Sequence, residues 1–335
     1  MLKRVLSKLR RPNHTGKRFG NACLVPGLPE QLFIEPTNLC DLKCPLCPTG
    51  SGKMGRDKGM MSFENFKKLI DEIAEYIYNI TLSSFGEPFL NKEIIKMITY
   101  AKGKGVAVSI LSNAQLIDRS CADGIAGSGL DRIYISLDGT TQESYEKYKV
   151  GGSLQKAIDA VNFIQKARAD KGSVKPLIIV QFIIMNHNEA EIEEIKILAG
   201  RLKGDQLIFK MLFDLHGMPE NLKEMENFFP SDPVYRIYKV EDGRVKLNIE
   251  MADMNFCPMA WNYPMVSWDG SLYPCCFDYK SFAVGNVFKF GFRKLWNGKK
   301  FMALRRNIAR SKISLEACSK CPINFYDKMT WNVPL

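Results

Sequence analysis

The sequence predicts an α/β fold built on a parallel sheet, with a second, smaller cysteine-rich unit behind it. Three observations predict this. Between residues 32 and 213, short runs rich in β-branched and aliphatic residues alternate six times with segments of helical period. Beyond that alternation there is no internal repeat and no low-complexity tract. The ten cysteines are clustered, with three between residues 40 and 47 and five between 257 and 321. Strands alternating with helices imply βαβ units with right-handed crossovers. Pattern alone leaves open whether six such units form a doubly wound sheet or a partial barrel.

Taken in order, residues 1–31 read as a basic leader, with Leu2, Val5, Leu6 and Leu9 at helical spacing. The spacing predicts strands over Leu32–Glu35, Ile80–Ser84, Val106–Leu111, Arg132–Leu137, Leu177–Met185 and Gln206–Phe213. Helices are expected at Phe63–Ile77 behind a Ser62 cap, then at Glu93–Lys104, Leu116–Gly127, Leu154–Ala169 and Ala190–Leu202. The core thus spans residues 32–216. Pro219, Pro230, Pro233 and the Asp242-Gly243 turn mark 217–250 as a linker or insertion. In the final unit, 251–335, Trp268–Tyr273 reads as a hairpin turning at Asp269-Gly270, and Lys294–Ile308 as a helix.

Composition bounds the function. Hydrophobic residues make up 46% and charged residues 25%, as in a globular protein with a real core. No apolar run reaches the roughly 18 residues of a membrane span, and no secretory signal pattern is present. Ten cysteines in such a chain point to metal or cluster ligation and a reducing cytoplasm rather than disulfides. The net charge is +11, yet residues 1–20 carry +7 and residues 289–312 carry +9, so the remaining chain is net −5. The basic patches suit peripheral contact with an anionic surface or a phosphate-bearing substrate, against the plainer reading of a solvated face. No sequence-specific nucleic-acid partner is expected.

The cysteines carry the chemistry. Cys40, Cys44 and Cys47 stand three and two residues apart in one loop after the first strand, so one short segment can bring three thiolates to a common centre. Thiolates suit zinc or iron–sulfur clusters. A structural zinc wants four closed ligands, and His14, His187 and His216 lie away from the loop. A three-cysteine cubane leaves one iron open. Further on, Cys257, Cys275, Cys318 and Cys321 offer four thiolates, enough for a closed cluster or a zinc. Cys23 and Cys121 read as small apolar residues.

Cys-x3-Cys-x2-Cys ahead of a (β/α) repeat resembles the radical S-adenosylmethionine (SAM) superfamily. The resemblance implies an open (β/α)6 TIM-like partial barrel and a [4Fe–4S] cluster on Cys40, Cys44 and Cys47. The open iron of that cluster binds SAM, and a reduced flavodoxin- or ferredoxin-type donor supplies the electron that generates a 5′-deoxyadenosyl radical. The family places an aromatic residue before the third cysteine, where this chain has Leu46. Further matches fall at the C-terminal ends of strands. Gly86 and Glu87 match the segment at the SAM amino group, with Phe85 in place of a glycine. Ser112 and Asn113 stand near the ribose, and Ser136 and Asp138 near the ribose and carboxylate. Lys149 occupies the place of a frequent arginine, and Met185 and Asn186 stand near adenine. Cys257-x12-Gly270-x4-Cys275, continued by Cys318-x2-Cys321, resembles a SPASM/Twitch auxiliary domain holding a second [4Fe–4S] cluster on four cysteines. Asp278 is a candidate acid or base, and Cys276 a candidate hydrogen-atom donor. The four-cysteine arrangement resembles that of a 2-deoxy-scyllo-inosamine dehydrogenase, which implies oxidation of a small polyol or sugar. The alternatives are a peptide-modifying maturase, a redox-neutral epimerase, and a non-enzymatic zinc or cluster protein.

Overall fold

Six parallel strands form the centre of a sheet that counts ten strands among the described residues. They are β1 (Gln31–Ile34), β2 (Asn79–Leu82), β3 (Ala107–Ser112), β4 (Arg132–Ser136), β5 (Leu177–Ile184) and β6 (Gln206–Met211), adjacent in that order. The computed structural model describes residues 23–212, 224–242, 244–247, 257–278, 280–319, 321, 330–333 and 335. The basic leader segment 1–20, residues 217–223 of the insertion and the outer end of the sixth expected strand at Phe213 lie outside the described residues.

Residues paired across parallel strands share a face, and the two faces differ sharply. Leu32, Ile34, Ile80, Leu82, Val108, Ile110, Ile133, Ile135, Ile178, Val180, Phe182, Leu207 and Phe209 are all buried in one core. Fully burying each of these is worth about 1.5–3 kcal/mol. The core is completed by helices α1 (Phe63–Ile73), α2 (Ile94–Gly103), α3 (Arg119–Gly127), α5 (Leu154–Asp170) and α6 (Ile192–Arg201). The opposite face is mixed, carrying Thr81, Ser109, Tyr134, Gln181 and Lys210 among Phe33, Leu111, Ile179, Ile183 and Ile208. Helices on one face alone, with a mixed polar and apolar face opposite, make this an open partial barrel, with a lumen, rather than a doubly wound sheet.

Helix starts follow their caps. Ser62 accepts from Asn65 N at 3.3 Å, and Ser153 accepts from Lys156 N at 3.3 Å. The third helix begins at Arg119 rather than Leu116, because Asp118 accepts from Cys121 N at 2.8 Å and fixes the first turn there. A further helix, α4 (Gln142–Tyr148), capped by Thr141, falls between β4 and α5 where no helix is expected from the sequence.

The C-terminal region does not stand apart. β9 (Met265–Val266) pairs parallel with β1, and β10 (Ser271–Tyr273) and β11 (Gly285–Asn286) extend that edge. β12 (Thr330–Val333) runs antiparallel to β6 on the other edge. Inside the insertion, β7 (Tyr238–Glu241) and β8 (Arg244–Leu247) form a separate two-stranded ladder. The expected helix Lys294–Ile308 is two: Phe292–Trp296 and Lys299–Ser311, broken where Gly298 is extended. Among the described residues no helix is long and apolar enough to cross a membrane.

The basic run is not one solvated patch. Arg305 is wholly buried, its guanidinium 4.1 Å from the ring centroids of both Trp296 and Phe301 and donating to Ala260 O and Trp296 O. Lys312 is 1% exposed and donates to Cys321 O at 3.0 Å. These two cations hold the C-terminal region together and are unavailable to an anionic surface.

Asp131, at the head of β4, gathers Lys102 Nζ at 2.5 Å, Lys175 Nζ at 2.6 Å and Val108 N at 2.9 Å. Burial opposes ionisation there, but those three donors outweigh it and hold the carboxyl below its usual range. Its contribution is therefore present above the ordinary carboxylate range and is lost as pH falls through the lowered pKa. Asp131→Asn is expected to cost about 1–3 kcal/mol at neutral pH. Urea melts of the two proteins should converge in acid, and a gap that persists there would remove the charge from the account.

Candidate active site

The loop after β1 is held open by its own polar residues. Thr37 donates to Gly59 O at 2.7 Å, Asn38 Nδ2 donates to Asp57 O at 2.8 Å, and Gly59 N donates to Asn38 Oδ1 at 2.9 Å. Lys43 N donates to Val150 O at 3.0 Å, which ties the loop to the end of α4. Within it Cys47 N donates to Cys44 O at 3.2 Å. Two glycines sit where no side chain fits. A Cβ on Gly50 would lie 2.5 Å from Cys44 N, and one on Gly86 would lie 2.3 Å from Thr37 O and 2.6 Å from Leu39 O. Sequence reasoning passed over Gly50, since a glycine in a loop carries no sign of what packs on it.

The strand ends meet this loop. Glu87 is 2% exposed and accepts from Ser112 Oγ at 2.8 Å, Asn113 N at 2.8 Å and Phe89 N at 3.1 Å. Burial pushes its carboxyl up to about 7 against the pull of those donors. A carboxylate offers about four lone-pair directions, so one remains for an ammonium. Asn113 Nδ2 donates to Asp41 Oδ1 at 2.8 Å and lies 3.7 Å from Cys40 Sγ. Met185, wholly buried, packs in one cluster with Leu42, Cys44 and Tyr148, and Leu46 packs against that cluster. Ser136 ends β4 opposite Gln181, on the lumen face. Asn186 is turned to another task, its side chain donating to Asn227 O at 2.8 Å in the insertion.

Lys149 and Asp138 form a buried ion pair at 3.1 Å, with side chains 11% and 0% exposed. Asp138 Oδ1 accepts from Ile183 N at 2.7 Å. Oδ2 has the lysine charge nearby yet no directed hydrogen bond, so the pair keeps an unused acceptor. Burial alone would lower the Lys149 ammonium, but Asp138 and Cys44 raise it well above the usual lysine value.

The second thiol set is drawn from separate segments. Cys257, Cys275, Cys318 and Cys321 all line one pocket that is partly open to solvent. Asp278 lines it too, but its carboxylate accepts from Lys280 N, Ser281 N and Phe282 N at 3.2, 2.8 and 2.8 Å. That turn commits it to shaping the loop. Cys276 packs elsewhere, beside Met54, Phe85, Met265 and Tyr273. A third polar group was not anticipated: Arg56 spans from Glu35 (2.5 Å) to Ser267 Oγ (2.5 Å), linking the first strand to the strand beside it.

Do these residues fit iron–sulfur clusters? Among the described residues, no three His, Cys, Asp or Glu side chains close round a single metal ion. Several of the thiols are raised by their surroundings. Burial chiefly, with Asp41 and Glu87 adding, pushes Cys40 up to about 12, and burial against the pull of Lys149 takes Cys44 to about 11. In the second set burial and neighbouring thiols push Cys257 to about 11 and Cys318 to about 12. Thiols so placed are costly to ionise alone, and a bound iron centre supplies the positive charge that makes them thiolates. Three thiols in one loop and four on one pocket fit an open and a closed cubane.

Gly86→Ala is expected to force the carbonyls of Thr37 and Leu39 aside, at about 1–3 kcal/mol in stability. Iron content and retained SAM should both fall. Normal loading and normal SAM retention would show that the loop tolerates the displacement.

The profile of the radical SAM superfamily matches residues 34–199, and that of the iron–sulfur cluster-binding SPASM domain matches residues 257–322. The chain is 25% identical over 311 residues to the mycofactocin maturase MftC of Mycobacterium tuberculosis, covering 87% of this chain and 75% of that one. Among solved structures it resembles Streptococcus suis SuiB bound to the precursor peptide SuiA, with a TM-score of 0.64 at 14% identity, covering 87% of this chain and 69% of the other. It also resembles BtrN in complex with AdoMet and 2-DOIA, with a TM-score of 0.54 at 15% identity, over 88% of this chain and 93% of the other.

Proposed function

The chain belongs to the radical SAM superfamily, with a SPASM cluster-binding domain behind the core, and from that premise we propose that it oxidatively modifies a peptide. It uses SAM and [4Fe–4S] clusters. We assign the SAM-binding cluster to Cys40, Cys44 and Cys47 and the auxiliary cluster to Cys257, Cys275, Cys318 and Cys321. When bound, these groups supply reductive cleavage of SAM to a 5′-deoxyadenosyl radical and an acceptor for a second electron.

The chain's own residues position that chemistry. Glu87 fixes the end of β2 to the start of the Asn113 turn and keeps one acceptor site for the SAM ammonium. Asp138 and Lys149 present opposite charges to the ribose and carboxylate. Leu46 and Met185 give adenine an apolar wall. Residues of the insertion cover the cysteine loop, with Met225 1%, Ile237 1% and Tyr238 2% exposed, and so exclude water from the radical's surroundings.

The single observation that supports a peptide is the likeness to SuiB carrying its precursor peptide, at a TM-score of 0.64. The likeness to BtrN with 2-DOIA, at 0.54, supports a small polyol as the second reading. The test is to give reconstituted, reduced enzyme and SAM either a synthetic peptide library or a panel of sugars and polyols, in heavy water. A peptide two mass units lighter, formed with 5′-deoxyadenosine, is the expected product. Oxidised sugars with untouched peptides would overturn the peptide reading. An unchanged mass with solvent deuterium incorporated would overturn oxidation and turn attention to Cys276.

A further inference from the structure

β6 is the last parallel strand of the barrel, and its alternate residues divide as on the other strands. Leu207 and Phe209 lie in the core, whereas Lys210 shares the lumen face with its register partner Ile183. Gln181, two residues before Ile183, stands on that face between Ser136 and Ile208. The Cα atoms of Gln181 and Lys210 are thus diagonal neighbours, about 8 Å apart from strand spacing and rise.

Both side chains are donors without acceptors. Gln181 is 4% exposed, and its Nε2 is buried with no hydrogen-bond partner. Lys210 has no ion pair or hydrogen bond among the described residues. Lys210 is half-buried with no partner for its charge among the described residues, and the buried, unpaired Gln181 amide costs stability. Lys210 is also near enough to Asp138 and Cys276 to feel both charges, so it stands in the lumen between the Asp138–Lys149 pair and Cys276. Burial pushes its ammonium down to about 8, against the pull of Asp138 and Cys276. It therefore carries its charge at neutral pH, and any anion that enters relieves that strain.

We propose that Lys210 and Gln181 form a subsite for a carboxylate of the substrate, held in the lumen between Asp138 and Cys276. One ammonium and one neutral amide match a monoanion with two acceptor oxygens. A phosphate dianion would bring a second charge towards Asp138, so it is disfavoured. The subsite rests on the peptide reading only for the source of that carboxylate, which would be an Asp or Glu side chain or a chain end.

The test uses the cluster-loaded protein with SAM, unreduced, in equilibrium dialysis read by mass spectrometry. One pair of probes is a random tetrapeptide pool with free carboxylates and the same pool with every carboxylate converted to a carboxamide. A second pair is glucuronate and glucose. Wild type should retain the free-acid peptides about tenfold better than the capped ones. Lys210→Met should abolish the preference, Gln181→Leu should weaken it, and Lys210→Arg should restore most of it. Iron content and SAM retention should be unchanged in all three. No preference in wild type, or an undiminished one in Lys210→Met, overturns the proposal. A fall in SAM retention overturns it too, by assigning the lysine to the cofactor. If glucuronate is retained over glucose through Lys210 while no peptide is, the carboxylate subsite stands and the peptide reading fails.

Discussion

Replacing Cys40, Cys44 and Cys47 together by alanine is expected to remove all SAM cleavage and about half the iron, from about eight atoms per chain to about four. The loss should be confined because the loop does not depend on its thiols for shape. Its backbone is fixed by Thr37, Asn38 and the Lys43–Val150 contact, none of which the substitutions touch. The four cysteines of the second set line their own pocket in a different part of the chain and should load normally. Iron assay, circular dichroism and 5′-deoxyadenosine release on the same preparation check this. Unchanged iron, or cleavage that survives, would move the open cluster away from this loop. The complementary change, Cys275 or Cys318 to alanine, should leave cleavage running without modified product.

Lys149→Met is expected to be the most damaging single substitution in the lumen, at about 3–5 kcal/mol of stability. The mutation leaves Asp138 wholly buried, with the Ile183 N–H as its remaining hydrogen-bond donor. A carboxylate so placed must stay charged without its counter-ion or take up a proton. The pair can be separated from the lysine's packing by a cycle: Asp138→Leu with Lys149→Met should be far milder than the single change. Chemical denaturation of the four proteins gives the coupling energy. A cost below about 1 kcal/mol for the single change would mean that the lumen is wet enough to solvate the aspartate. SAM retention should fall in both variants, since the cofactor loses its charged neighbours either way.

The parallel strands were legible to within a few residues because each is a β-branched run bounded by turn-forming residues. What escaped were elements too short to have a period. Gln142–Tyr148 is two turns of polar sequence, and β11 and β12 are two and four residues long and defined by distant partners, whereas the hairpin that joins β9 to β10 was marked by its Asp269-Gly270 turn. The cysteine spacings pointed to a metal or cluster at once, since ligands must be close in three dimensions and three of them are close in one, and the family resemblance then implied which. The polar lumen was harder. Val180-Gln181-Phe182 and Phe209-Lys210-Met211 do alternate, but in strands dominated by isoleucine and phenylalanine one polar residue looks like noise. The basic run shows the same limit in reverse. Phe301, Leu304, Arg305 and Ile308 fall on one helical stripe and are all buried, so a stretch that reads as nine like charges turns one of its arginines into the core.

The strand β12 has a consequence for how the chain is made. It covers the outer edge of β6, yet 119 residues separate Met211 from Thr330. At roughly 5–20 residues per second, a ribosome needs about 6–24 s to bridge that interval. Throughout it β6 offers unpaired backbone groups to whatever strand arrives first, and a neighbouring nascent chain on the same messenger carries the same sequence. Slow decoding after residue 211 would prolong that exposure, and faster decoding or chaperone cover of the β6 edge would shorten it.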